Sequence, residues 1–139
     1  MDITVIMPAL DEEENIEAAI SNTLKVFDDY EIIGEILVIN DGSTDDTPGI
    51  VRRLSATDSR IHLIKHEAPM GIGASYWEGV DSAKGKVVTW LPGDNENDPW
   101  ETLRYYKLTE HVDIVIPFVF NREVPFFQKL AFLHISLYY

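Results

Sequence analysis

The sequence predicts an α/β fold: a three-layer α/β/α sandwich on a mainly parallel sheet. Three observations carry that expectation. Short apolar runs alternate with segments of helical periodicity, with almost no slack between them. The chain contains no repeat, low-complexity tract or linker. Its 139 residues, 45% of them hydrophobic, suit one domain with one real core. Such alternation implies parallel strands joined by right-handed crossovers, with helices on both faces.

The elements follow in order. "ITVIM" (3–7) reads as a buried strand. "NIEAAISNTLKVF" (15–27) places apolar residues at 16, 19, 20, 24 and 27, the spacing of one helix face. "EILVIN" (35–40) is a second strand, and "PGIVRRLSA" (48–56) a helix with Pro48 suited to its first turn. "IHLIKH" (61–66) is a third strand, followed by a helix over 73–83 that Gly85 closes. "KVVTWL" (86–91) makes a fourth strand, 99–109 a fourth helix, and "VDIVIPF" (112–118) a fifth strand.

Composition removes several function classes. Eleven Lys and Arg against 24 Asp and Glu give a formal charge of −13, so nonspecific nucleic-acid binding is not expected. The absence of cysteine excludes disulfides, zinc–thiolate sites and thiol catalysis, and fits a reducing compartment. The acidic start "MDITVIMPALDEEE" is unlike a signal peptide, and no apolar run reaches the length of a membrane span. A cytoplasmic location is therefore expected. No P-loop motif occurs, and "GIGASY" (71–76) follows the third strand rather than the first, where a dinucleotide fingerprint belongs. His62, His66, His111 and His134 are scattered and read as structural.

Ligands of open parallel sheets sit beyond the carboxyl ends of the strands, where strand order reverses. Here the first strand exits into "PALDEEEN" (8–15), the second into "NDGSTDDT" (40–47) and the fourth into "PGDNEND" (92–98). Each cluster alone has a structural reading, as first-turn acids, N-caps or a turn. Topology nevertheless places all three on one edge. An ionised carboxylate only accepts hydrogen bonds, so Asp41 suits the imide N–H of uracil or the paired N–H groups of guanine, and rejects adenine. Asp94 and Glu96 offer hard oxygen ligands to Mg²⁺ or Mn²⁺. Two bare anions about 4 Å apart repel by roughly 4 kcal/mol, so a diphosphate beside those acids needs the cation.

Together "VIMPALDEEENI", "EILVINDGSTDDT", "GIGASYWEGVDSAKGKVV" and "LPGDNENDP" resemble family-2 glycosyltransferases of the GT-A fold. The nearest members are the dolichol-phosphate mannosyltransferase-like polyprenyl-phosphate sugar transferases. The resemblance covers roughly residues 2–120 and rests on the order and spacing of all four segments. It implies that Pro8, Ala9, Leu10 and Glu12 line a nucleotide pocket, that Asp41 binds the base, and that Gly71 and Gly73 let the backbone pass close to the donor. The family's Asp-x-Asp metal signature falls on Pro92 and Asp94, with Glu96 where Gln often stands. One carboxylate is lost and one gained, leaving Asp94 for donor and metal, and Glu96 for metal. Asp11 stands where Asn is usual, and Met70 where a basic residue often precedes the glycine.

The implied activity is metal-dependent transfer of a sugar from a UDP- or GDP-linked donor to an acceptor, with polyprenyl phosphate at a membrane surface the leading candidate. Residues 1–120 would form the nucleotide-sugar-binding core, and 121–139 the start of an acceptor-side or membrane-interfacial segment. In that family the acceptor side lies mostly further on, as does the base of inverting members that use one, so no catalytic base is assigned. "VPFFQKLAFLHISLYY" (124–139) is strongly apolar, with no stop signal. It reads as a core helix whose partners lie further on, or as an interfacial helix with Lys129 reaching toward headgroups. Uncovered, it would favour self-association. A non-catalytic nucleotide-binding module is the alternative. A sugar-1-phosphate nucleotidyltransferase would need a basic glycine-rich loop where "PALDEEEN" is acidic.

Overall fold

The structure, a computed structural model, describes residues 1–116. It contains β1 (Ile3–Ala9), α1 (Ile16–Asp29), β2 (Gly34–Asn40), α2 (Thr47–Ser55), β3 (Ile61–Lys65), α3 (Ile72–Ser82), β4 (Val87–Trp90), α4 (Pro99–Leu103) and a 3-10 helix (Tyr106–Glu110). The strands form one four-stranded, fully parallel sheet in the order β3-β2-β1-β4. The chain adds β2 and β3 on one side of β1 and then crosses to place β4 on the other. The reversal of strand order therefore falls at β1.

Alternation along the strands divides the core in two. Ile3, Val5 and Met7 of β1, with Ile36 and Val38 of β2, meet Ile16, Ile20 and Phe27 of α1 and Val51 of α2. Ile6, Leu37 and Ile39 point to the other face, against Val80 of α3 and Trp90 of β4. Both strand patterns are continuous rather than alternating, as a sheet buried on two faces requires. Gly79 sets how closely α3 approaches: a Cβ there would stand 2.6 Å from Ile6 Cγ2.

Strand and helix limits shift by one or two residues from expectation, but two elements differ in kind. The helix expected over 99–109 stops at Leu103 and resumes as the 3-10 helix. The expected fifth strand over 112–118 is absent across its described part, 112–116, where Ile114 and Ile116 are 74% and 83% exposed. A β-branched run becomes a strand only when a ladder takes up its backbone groups, and among the described residues β4 is laddered to β1 alone. Beside β4, a cavity of about 560 Å³ is lined by Val87, Thr89, Leu103, Tyr106 and Ile114 among others. The apolar segment 124–139, and the division at residue 120, lie outside the described residues. Among the described residues no helix is long and apolar enough to cross a membrane.

The edge of the sheet opposite the strand exits is locked by a buried acid. Glu35 is 1% exposed; its Oε1 accepts from Thr4 Oγ1 at 2.7 Å and from the Lys84 N–H at 2.9 Å. Thr4 Oγ1 in turn accepts from the Gly85 N–H at 2.9 Å. His62 Nε2 lies 3.3 Å from Glu35 Oε2, the oxygen without a hydrogen bond. This network pins the α3–β4 connection under β1 and β2. Glu35→Ala strands the buried Thr4 hydroxyl and the part-buried Lys84 N–H, so it is expected to destabilise the chain by about 3 kcal/mol, read in urea unfolding, without altering the distant rim.

Candidate active site

The structure gathers the polar clusters on one rim, at the carboxyl ends of the strands. Backbone hydrogen bonds extend the sheet past its strands: Asp41 N–H donates to Ala9 O at 2.9 Å, His66 N–H to Asn40 O at 2.9 Å, and Gly93 N–H to Pro8 O at 2.9 Å. The exit of β1 is thus flanked by Asp41 on one side and by Gly93-Asp94 on the other. Gly93 keeps the approach close, since a Cβ would stand 2.7 Å from Ile16 Cδ1 and displace that side chain.

The acids after β1 and β2 bind each other's loops. Asp11 N–H donates to Ser43 Oγ at 3.0 Å, while Asp11 Oδ1 accepts from the Thr44 N–H at 2.7 Å. Glu13 N–H donates to Asp45 Oδ2, and Glu13 Oε2 accepts from the Asp46 N–H, both at 2.9 Å. Glu12 N–H donates to Thr47 Oγ1 at 2.8 Å. These pairings, rather than capping of α2, occupy the hydroxyls of the second loop. Asp46 is the N-cap, Asp45 Oδ1 accepts the Thr47 N–H, and the hydroxyls of Ser43 and Thr47 serve the β1 loop instead. Burial pushes the Asp45 carboxyl up, but donors from Thr47 and Glu13 outweigh it and hold the group below its ordinary value. Asp11 has φ +54°, a conformation that Asn shares readily. Both residues offer the same Oδ1 acceptor, which accounts for Asp where Asn is usual.

Asp41 is the hub of the rim and is 6% exposed. Its Oδ1 meets His66 Nδ1 at 2.6 Å and accepts the Met70 N–H at 2.7 Å; its Oδ2 accepts the Gly71 N–H at 2.8 Å. Burial raises its pKa, but His66 and the two N–H donors overcome that and hold it below the ordinary carboxylate value. A carboxylate has about four acceptor positions. Three are taken by the protein, so one, on Oδ2, remains. Gly42, at φ +78°, brings the 68–70 loop into place, since a Cβ there would lie 2.6 Å from Pro69 N.

The other expected residues fall around this hub. Pro8 is half-buried, and Ala9 belongs to the core cluster. Leu10 is 46% exposed, and the Glu12 carboxylate accepts from Asn15 Nδ2 at 2.9 Å. Gly71 (φ +90°) and Gly73 begin α3, and a Cβ on either would meet nothing within 4 Å. Their backbone faces open space, as close approach by a ligand requires.

The acidic turn after β4 has two functions. Asp94 Oδ1 accepts the Glu96 N–H at 3.0 Å, closing a turn through Asn95 (φ +57°), and Asn22 Nδ2 ties Asn95 to α1. Asp98 Oδ1 caps α4 by accepting the Trp100 N–H at 2.9 Å. Asp98 is thus structural, and Asp94 Oδ2 with the exposed Glu96 carboxylate remains for a cation. Among the described residues no group of three or more His, Asp or Glu is arranged to hold a metal. Two carboxylates suit Mg²⁺ or Mn²⁺, which complete their shell with water and substrate phosphates.

Sequence reasoning missed His66 and Glu78. His66 follows β3 directly and so sits on the same rim, but its partners are 25 and 12 residues away in sequence.

The sequence model described as Glycosyl transferase family 2 matches residues 4–134. Undecaprenyl-phosphate 4-deoxy-4-formamido-L-arabinose transferase of Aeromonas hydrophila is 28% identical over 131 residues, 93% of this chain and 40% of that protein. The crystal structure of Staphylococcus aureus TarS 1-349 superposes over 90% of this chain and 38% of its own, at a TM-score of 0.68 and 23% identity, a likeness of fold. Glucosyl-3-phosphoglycerate synthase from Mycobacterium tuberculosis, in complex with Mn²⁺, UDP and phosphoglyceric acid, gives a TM-score of 0.56 at 27% identity, covering 73% of this chain and 36% of its own. This chain therefore spans well under half the length of these proteins.

Proposed function

The chain belongs to glycosyl transferase family 2, and on that premise we propose that it binds a nucleotide-diphosphate sugar and supplies the donor half of a glycosyl transfer. The observation that carries this reading is the rim itself. An ionised acceptor, Asp41, lies on one side of the β1 exit, open glycine backbone at the start of α3 lies beyond it, and the Asp94–Glu96 turn lies on the other side.

Each group has a distinct task. The free position on Asp41 Oδ2 accepts an N–H of uracil or guanine, while Leu10 covers the base. The N–H groups of Ile72 and Gly73, at the very start of α3, have no acceptor within the helix and suit the diphosphate. Asp94 and Glu96 would hold Mg²⁺ or Mn²⁺, which supplies charge neutralisation on the departing diphosphate. The acceptor proposed is a polyprenyl phosphate, because the arabinose transferase named above carries its acceptor class in its name. Residues 1–120 are the donor-binding part, and 121–139 lead toward the acceptor. Pro92 in the first signature position favours a second reading, in which this chain binds donor without transferring sugar.

Titration calorimetry with UDP and GDP tests the reading. Mn²⁺ is expected to tighten one of them at least about tenfold, and Asp94→Asn to remove that gain, worth about 1.4 kcal/mol. Absence of metal-dependent binding of either nucleotide would overturn it. Release of free sugar from a donor panel separates the transferring from the binding-only form.

A further inference from the structure

We infer that His66, held between Asp41 and Glu78, is the positioning residue that fixes the base-reading carboxylate and makes base selectivity depend on its protonation. The inference rests on the donor-site reading above and adds a residue and a pH dependence to it.

Geometry favours the protonated ring. The ring is 6% exposed, with Nδ1 2.6 Å from Asp41 Oδ1 and Nε2 2.5 Å from Glu78 Oε2. Both distances require a shared proton, yet a neutral imidazole carries only one N–H and a carboxylate carries none. Asp41 also accepts two backbone N–H groups, which favours its ionised form. The ring is therefore an imidazolium donating on both sides. Hydrogen bonds to Asp41 and Glu78 raise its pKa above the ordinary 6.5, against the opposing effect of burial. No other charged group is among the causes of that shift; Lys65 and Glu67, its neighbours in sequence, face each other at 3.7 Å.

The consequence is directional. Because the folded pKa is raised, the clamp is complete below the ordinary value and is lost as pH rises through the folded one. A neutral ring leaves one carboxylate facing a nitrogen lone pair. Asp41 then loses the positive charge that balances it and competes with Glu78 for a single ring N–H, so its hold loosens and its discrimination between an N–H donor and a ring acceptor decays. Glu78 tunes the pH at which this happens.

The experiment titrates the chain with UDP, GDP, CDP and ADP in Mn²⁺ across neutral and alkaline pH. The wild type is expected to prefer UDP or GDP to CDP and ADP by at least about tenfold near neutrality, and to lose that preference as pH rises, within the range where the bases keep their own ring N–H groups. Glu78→Gln, at a half-exposed position, is expected to move the loss to lower pH. His66→Asn is expected to reduce the preference to within about twofold at every pH. If His66→Asn does not fold, Glu78→Gln decides alone. An unchanged midpoint in Glu78→Gln, or full selectivity in folded His66→Asn, overturns the inference while leaving donor binding intact. Failure of the wild type to bind UDP or GDP overturns the donor-site reading and takes this inference with it.

Discussion

Replacing Asp41 with alanine is expected to lower the melting temperature by on the order of 10 °C and to abolish nucleotide binding. The size follows from what the carboxylate holds. Its loss leaves the buried His66 imidazolium with Glu78 alone, and leaves the Met70 and Gly71 N–H groups without an acceptor. Removing one partner of a buried charge pair costs about 3–5 kcal/mol. The effect has a pH signature. The folded pKa of Asp41 is depressed, so its contribution is present above the ordinary value of 3.8 and is lost as pH falls through the folded one. The gap between wild type and variant is therefore widest near neutrality and narrows in acid. A gap that persists unchanged in acid would show that the alanine acts through lost packing rather than lost charge.

Gly42→Ala should destabilise the chain by about 3 kcal/mol, summing left-handed strain and steric overlap. At φ +78° an L side chain is strained, and the new Cβ would lie 2.6 Å from both the Ala68 carbonyl carbon and Pro69 N. These are backbone atoms, so the loop itself must move, carrying Met70 and Gly71 away from Asp41. UDP or GDP affinity should fall together with stability in chemical unfolding and calorimetry. Glu35→Ala, at the opposite edge, provides the control: similar destabilisation with binding retained. Equal binding in both variants would show that the 68–70 loop is not needed to set Asp41.

The parts of this molecule legible in its sequence are those governed by local pattern. The runs of β1 and β2 announced strands because a strand buried on both faces has no polar alternation to obscure it, and those of β3 and β4 because short apolar runs recur between helical segments. The convergence of Asp41 and Asp94 on one rim followed from parallel topology alone. What escaped depended on partners distant in the chain. The run at 112–116 has strand composition, but no described strand borders it. Among four scattered histidines, only the fold distinguishes His66, because burial and two carboxylates decide its charge. The acids at 11 and 13 read as first-turn helix charges, and Asp45 as part of a capping cluster. They are acceptors for backbone N–H groups across the loop interface.

Those reciprocal loop contacts also bear on how a ligand meets the rim. A floppy pair of loops must surrender conformational freedom on association, about 0.5–1.5 kcal/mol for each side chain immobilised. Here Asp11, Glu13, Ser43 and Asp45 are already fastened to one another. Folding has absorbed that entropy, so the proposed nucleotide would meet loops already fastened in place.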